Sequence, residues 1–177
     1  TVLESEGDAA FKAEQLTLPS FNEFVDELTD VAPQAAVAVL KDAKNIVAQA
    51  LDEVLYKTYQ ANSESVYSNS GSSIGKRSLK NQCLSYLGVL DKYQHLIADQ
   101  YRGADNMTDS LASLTSAARV GHADYDSLMA DFENKWQETT LVMDKWFNIQ
   151  AMQGGKDTLA RVKALLSHPQ FTLKNPN

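Results

Sequence analysis

The sequence predicts an all-α fold, and three observations lead to that prediction. Apolar residues recur at helical spacing along almost the whole chain. No segment alternates apolar and polar residues between turn signals, as a half-buried strand would. The chain has 177 residues, which is long enough to bury one sizeable core. About eight helices joined mostly by short loops are therefore expected, as a bundle or as stacked antiparallel helix pairs.

Residues 1–61 are predicted to contain two short helices followed by a long one. The first covers about residues 8–15, and Ser20 is a suitable N-cap for the second. Pro33 fits the first turn of a helix, where a missing N–H costs nothing. Apolar residues then share one face up to about residue 59, which predicts a single long helix. These residues are Val37, Leu40, Val47, Leu51 and Val54.

Residues 62–75 are polar and rich in serine, which predicts a loop. Residues 76–177 carry further helical patterns and are interpreted as stacked helix pairs. Asn106 is predicted to cap the helix after it, because its side chain can accept a bond from an unpaired N–H. Asp109, three residues later, suits the positive end of that helix. Asp157 is the predicted cap of the last helix.

The chain is acidic, with 16 Lys and Arg against 23 Asp and Glu and a formal charge of −7. Its longest basic run, Lys76-Arg77, is too short to neutralise a row of phosphates, so nucleic acid is not an expected partner. An anionic membrane surface would repel it. No apolar run approaches the ~18 residues of a membrane span, and no signal segment opens the chain. We therefore expect a cytoplasmic protein without a membrane partner.

The residue types that carry chemistry are scattered. His95, His122 and His168 lie far apart without a second ligand at helical spacing, so we expect surface or helix-end residues. Cys83 is the single cysteine and follows the apolar stripe of its helix, which predicts a buried, inert thiol. Neither a nucleophile elbow nor a phosphate-binding loop is found. The sequence thus predicts no catalytic residue, metal ligand or cofactor in this chain itself.

Residues 141–147, LVMDKWF, place an acid, a base and two large aromatics together. Val142, Met143, Trp146 and Phe147 cover a broad arc of one helix, which indicates a helix buried on two sides. Asp144 and the lysine after it would then share a narrow exposed strip. The segment is therefore interpreted as a core helix rather than a catalytic motif.

Several segments together resemble one family. They are LTLPSFNE (16–23), KRSLKNQCLSYL (76–87), ADNMTDSLASL (104–114), LVMDKWFNIQA (141–151) and HPQFTLKNPN (168–177). In this order they resemble the C-terminal helical domain of bacterial aminopeptidase N, the zinc-dependent alanyl aminopeptidase family. The resemblance covers roughly residues 8–177, and residues 62–75 match least well.

The resemblance implies a larger multidomain peptidase that removes N-terminal residues from peptides. Its Zn²⁺ ligands and general base would lie upstream, and no position here matches their motifs. Residues 1–177 would be a single domain fragment, an armadillo- or HEAT-like superhelix of helix pairs. Its partner would be the catalytic domain of the same chain, whose chamber it would enclose, so peptide substrates would meet it indirectly. An exposed apolar end would favour self-association of the fragment.

The candidate substrate-channel or domain-contact positions are polar and lie in the matched segments. They are Asn106, Met107, Thr108, Asp109, Lys174, Asn175 and Asn177. Capping and turn formation explain these residue types more simply. An independent helical-repeat module that binds a protein or peptide is the alternative function, and its acidic surface would prefer basic peptides.

Overall fold

The computed structural model describes residues 2–175, and every regular element within that range is helical. The all-α prediction is therefore confirmed. The chain divides into two compact units, Thr1–Leu96 and Ile97–Asn177. The sequence predicted one domain, in which the loop of residues 62–75 separates the first helices from the stacked pairs. That organisation stays a prediction.

The first unit contains five complete α-helices. They are α1 (Ala9–Gln15), α2 (Phe21–Asp26), α3 (Pro33–Ala50), α4 (Asp52–Ala61) and α5 (Gly71–Leu87). A short 3₁₀ helix, Asp91–Tyr93, precedes α6 (His95–Gly103), which begins in the first unit and continues into the second. The second unit contains α7 (Met107–Val120), α8 (Tyr125–Trp136), α9 (Thr140–Met152) and α10 (Thr158–Leu165). Within residues 2–175 there are thus ten α-helices, against the eight that were expected.

Helix α5 forms the centre of the first unit, where it packs against α1 and α4. Its buried apolar residues are Leu79, Cys83, Leu84, Tyr86 and Leu87. At Gly75 a Cβ atom would stand 3.1 Å from the backbone nitrogen of Ala10, so glycine permits the close approach of α1. The hydroxyl of Tyr86 and the amide of Gln82, the latter at 3.1 Å, both donate to the Leu16 carbonyl at the end of α1.

The predicted long helix is interrupted, and the predicted loop is shorter than expected. Leu51 leaves helical geometry (φ −118°, ψ 14°), so α3 ends at Ala50. The Asp52 carboxylate accepts from the Glu53 N–H, a local bond that competes with helix continuation. Helix α5 begins at Gly71 inside the serine-rich segment, because the Ser70 hydroxyl accepts from the Ser73 N–H at 3.3 Å.

The packed face of α3 includes small residues beside the predicted stripe. Val37 is 55% exposed, whereas Ala36 and Ala48 are buried. Small residues allow α3 to approach its neighbours α2 and α5, and the larger residues at its surface stay in solvent. Of the predicted stripe, Leu40, Val47, Leu51 and Val54 are half-buried, whereas Val37 is exposed.

The second unit has its core between α7, α8 and α9. Leu114, Phe132, Met143 and Trp146 are all buried there. The indole N–H of Trp146 donates to the Met129 carbonyl at 2.9 Å, so the polar edge of this buried ring is satisfied. Residues 141–147 therefore lie in a core helix, as predicted.

Several smaller predictions can be compared with the structure. Cys83 is fully buried, and burial raises the pKa of its thiol to about 12, so the prediction of an inert cysteine is confirmed. Asp157 stands at the N-cap of α10 without a side-chain bond to the helix, so its predicted capping bond is wrong. No helix among residues 2–175 is long and apolar enough to cross a membrane.

Candidate functional site

The first group of candidate residues forms the start of α7. Asn106 has extended geometry (φ −146°, ψ 153°), and its Oδ1 accepts from the Asp109 N–H at 2.9 Å. Its Nδ2 donates to the Asp109 carboxylate at 3.0 Å, so the two side chains are joined by a reciprocal pair of bonds. The predicted cap is confirmed, and it occupies the polar atoms of Asn106.

The surroundings of this cap hold Asp109 in place. Asp109 is buried, and its backbone carbonyl accepts from the Gln100 amide of α6 at 3.2 Å. The Ser110 hydroxyl donates to the Asn106 carbonyl at 3.0 Å. Met107 is half-buried and Thr108 is exposed. Of the four consecutive candidates, Thr108 therefore presents its side chain most openly to an approaching molecule.

The second group follows α10 and is bound to α9. The Asn175 side chain donates to both carboxylate oxygens of Asp144, at 2.9 and 3.1 Å. Lys174 is exposed, and its backbone N–H donates to the Thr172 hydroxyl at 3.2 Å. Asn177 lies outside the described residues. Asp144, which was expected on a plain exposed strip, is instead the partner of a candidate residue.

Aromatic rings connect the segment after α10 to the core. The rings of Phe147 and Phe171 lie 5.6 Å apart, edge to face, and the His168 ring lies 5.3 Å from that of Trp146. His168 Nε2 is 3.0 Å from a Glu133 carboxylate oxygen. Its Nδ1 accepts from the Gln170 N–H at 3.2 Å, so Nε2 carries the proton donated to Glu133. His168 is a helix-end residue, as predicted, but it also holds this segment in place.

These contacts create a groove between α9, α10 and residues 170–175. It has a volume of about 400 Å³. Its apolar surface includes Phe147, Val162 and Leu165, and its polar atoms come from Asp144 and Gln170 among others. The arrangement can bind a mainly apolar group that also carries a hydrogen-bond donor.

Reasoning from the sequence did not find the contact of Asp144 with Asn175 or that of Glu133 with His168. The pairs are 31 and 35 positions apart, so no local spacing connects them. The only available signal was that Asp144 and His168 both fall in segments that resemble one family. Asn106 and Asp109, by contrast, were recognisable from their spacing alone.

Comparison with known proteins agrees with the predicted resemblance. The chain is similar to aminopeptidase N of Escherichia coli (strain K12), at 38% identity covering 99% of this chain and 20% of that protein. Aminopeptidase N of Haemophilus influenzae is 35% identical, covering 92% of this chain and 19% of its own length. The chain thus spans about a fifth of the length of the curated relatives that it matches.

A solved structure shares the fold. The crystal structure of Legionella pneumophila aminopeptidase A in complex with aspartic acid matches 99% of this chain and 22% of its own, with a TM-score of 0.85 and 25% identity. The family described as "Domain of unknown function (DUF3458_C) ARM repeats" matches residues 1–177. Because that match covers the whole sequence and describes a helical repeat fold, the chain belongs to the DUF3458_C family of ARM-repeat domains.

Proposed function

We propose that this chain is the C-terminal, non-catalytic part of a zinc-dependent aminopeptidase that removes N-terminal residues from peptides. The observation that carries the proposal is the similarity of almost the whole chain to about a fifth of aminopeptidase N. In such an enzyme the helical part encloses the catalytic chamber and shapes the access of peptides. Its first partner is then the catalytic domain of the same polypeptide, in the cytoplasm.

The chemistry of peptide hydrolysis belongs to the rest of that enzyme. Within residues 2–175 no three His, Cys, Asp or Glu side chains are grouped so that they could hold a metal ion. These residues therefore do not fit a zinc site, and no catalytic step is assigned to them. Their proposed contribution is steric and electrostatic, through the acidic surface of the chain.

The candidate residues differ in what they can contribute to substrate access. Thr108 and Lys174 are exposed and are the positions at which we expect contact with a peptide or with the neighbouring domain. Asn106 and Asp109 would contribute indirectly, by fixing the start of α7 where Thr108 lies. Asn175 would contribute separately, by attaching the segment that carries Lys174 to α9.

A chimera tests the proposal. The matching segment of Escherichia coli aminopeptidase N is replaced by this chain, and cleavage of an alanine anilide and of a tetrapeptide is followed. We expect the chimera to cleave both, whereas an enzyme lacking the segment changes its preference between the two substrates. A Thr108→Trp chimera should slow the tetrapeptide more than the anilide, because the longer substrate needs the wider path.

Two results would contradict the proposal. One is zinc-dependent hydrolysis by the chain alone, which would make it catalytic. The other is an unchanged substrate preference when the segment is absent, which would favour an independent helical-repeat module. Sedimentation of the isolated chain separates these readings further, because an independent module stays monomeric, whereas a piece with an exposed apolar face self-associates.

A further inference from the structure

A second cavity lies in the first unit, and the proposed function does not use it. It is lined by residues from the segment before α1, from α1 itself, from α4 and from α5. Its volume is about 410 Å³. Cavities of roughly 300–1,000 Å³ are of the size that binds small organic molecules. All the lining residues described belong to the first unit, so the cavity is a feature of that unit alone.

The charges in this cavity are opposite to those of the chain as a whole. Lys12 and Lys57 line it, and Glu4 is the single acidic side chain among its described lining residues. The complete chain, by contrast, has a formal charge of −7. The cavity is therefore a local site of positive charge on an acidic protein, which favours an anionic ligand.

The Lys12 ammonium group is held in position by the backbone. It donates to the Leu3 carbonyl at 3.4 Å and to the Ser5 carbonyl. Gly7 has a φ of +151°, which favours glycine, and residues 3–7 thus fold back towards this side chain. Both acceptors are neutral, so the positive charge of Lys12 is not compensated by them. An ammonium group has three donors, so one remains for a ligand.

Two further donors come from consecutive residues of α4. Lys57 is exposed, and no carboxylate lies within ion-pair distance of it among residues 2–175. Thr58 is half-buried, and within the same range its hydroxyl has no hydrogen-bond partner. The cavity thus offers two ammonium groups and one hydroxyl to a bound acceptor.

The rest of the cavity wall is aliphatic. Leu3 and Leu79 are buried, and Val54 is half-buried beside them. We call these three side chains the aliphatic wall. They contact a branched hydrocarbon group favourably because burying its surface removes it from water. The cavity therefore combines a site for an anionic group with a site for an apolar one.

From this arrangement we propose that the cavity binds a small carboxylate with an aliphatic body, of which an N-acylated leucine is an example. The carboxylate accepts from Lys12, Lys57 and the Thr58 hydroxyl, and its aliphatic side chain packs on the aliphatic wall. Charged donors bind a carboxylate more strongly than neutral donors do. No arginine is among the described lining residues, and the few donors suit two carboxylate oxygens better than a phosphate group. This inference does not depend on the proposed function.

A matched pair of small molecules tests the inference. N-acetyl-leucine carries the carboxylate, and N-acetyl-leucinamide has nearly the same shape but no charge. Amide chemical shifts of the ¹⁵N-labelled 177-residue chain are followed by NMR as each compound is added. We expect saturable shifts at Gly7 and Thr58, and about tenfold tighter binding of the acid, because its hydrogen bonds are charged. Acetate, which lacks the aliphatic body, should bind more weakly than N-acetyl-leucine.

Variants of the chain locate the binding. Lys57→Gln should reduce the preference for the acid and leave the affinity for the amide unchanged. Lys41→Gln, at an exposed position of α3 outside the cavity, changes the net charge equally and should keep the full preference. Ala61→Phe should block both compounds by filling the cavity, and because Ala61 is exposed at the end of α4 the fold is preserved.

Three outcomes would overturn the inference. Equal affinity for the acid and the amide would show that the lysines do not recognise the carboxylate. A preference that is undiminished in Lys57→Gln, or that is lost in Lys41→Gln, would place the interaction outside the cavity. The absence of saturable shifts at Gly7 and Thr58 would show that the cavity does not bind a carboxylate of this kind.

Discussion

Asn106 and Asn175 are both half-buried asparagines of the second unit, and each fixes a different kind of structure. The Asn106 side chain bonds to Asp109, as described above, and donates to the Asp105 carboxylate at 3.0 Å, so both partners lie within three positions in the sequence. The bonds of the Asn175 side chain reach Asp144, 31 positions away. The first set stabilises a helix start that local sequence defines, whereas the second forms only after α9 and the last segment have come together. The comparison separates local from long-range stabilisation within one unit.

The largest expected effect comes from removing Trp146, whose ring helps to hold the segment after α10 against α9. Trp146→Ala deletes a buried ring that packs against Phe147 and His168 and donates to Met129. We expect a loss of about 3–5 kcal/mol in the free energy of unfolding. Urea denaturation followed by circular dichroism measures it.

Trp136 provides the matched control, because it is 37% exposed and Trp136→Ala should cost much less. Equal losses for the two tryptophans would show that the ring cluster contributes no more than surface packing.

Removing the local cap should have an intermediate effect. Asn106→Ala leaves the Asp109 N–H without its acceptor and should cost about 1 kcal/mol of stability. Asn106→Ser retains a capping oxygen and should recover most of that loss. If the alanine variant were as stable as the parent chain while the chimeric enzyme lost peptide turnover, capping would not be the main role of this residue.

Removing the long-range amide should have a smaller effect on global stability. Asn175→Ala breaks two hydrogen bonds near the surface and should cost about 0.5 kcal/mol. Hydrogen exchange should increase mainly at residues 168–175, because α9 keeps its core contacts. A loss larger than that of Asn106→Ala would mean that the last segment stabilises the whole unit.

The smallest expected effect concerns Asp131, which is also in a long-range contact, with the hydroxyl of Tyr101 at 2.7 Å. Lys135 first, and Tyr101 second, lower the pKa of this carboxyl. A lowered pKa in the folded state stabilises the protein above the ordinary aspartate pKa, and this contribution disappears as pH falls through the lowered value.

We therefore expect wild type to be more stable than Asp131→Asn at neutral pH, with the difference vanishing in strong acid. Thermal unfolding at several pH values measures it, with Asp126→Asn on the same helix as the control. A difference that grew as the pH fell would reverse the assigned direction of the pKa shift.

Sequence reasoning succeeded where the information is local. The Ser20 and Asn106 caps and the burial of Cys83 follow from residue type and helical spacing, and all three are found in the structure. It failed at Leu51, where a local carboxylate bond interrupts an apolar pattern that runs on without a break. On α3 one residue of the apolar stripe, Val37, is exposed, because spacing shows that a face is apolar but not how far its neighbours cover it.

The sequence was sufficient for the helical class, for the caps and for the family resemblance, since periodicity, capping residues and matched segments are all written along the chain. The groove between α9, α10 and residues 170–175 could not be predicted from the sequence. The bond between Asp144 and Asn175, the contact of His168 with Glu133 and the buried oxygen of Gln170 depend on how α8, α9 and α10 pack. Each of these features arises when different helices pack together. Spacing rules along one helix describe only neighbours on that helix, so they do not specify such contacts.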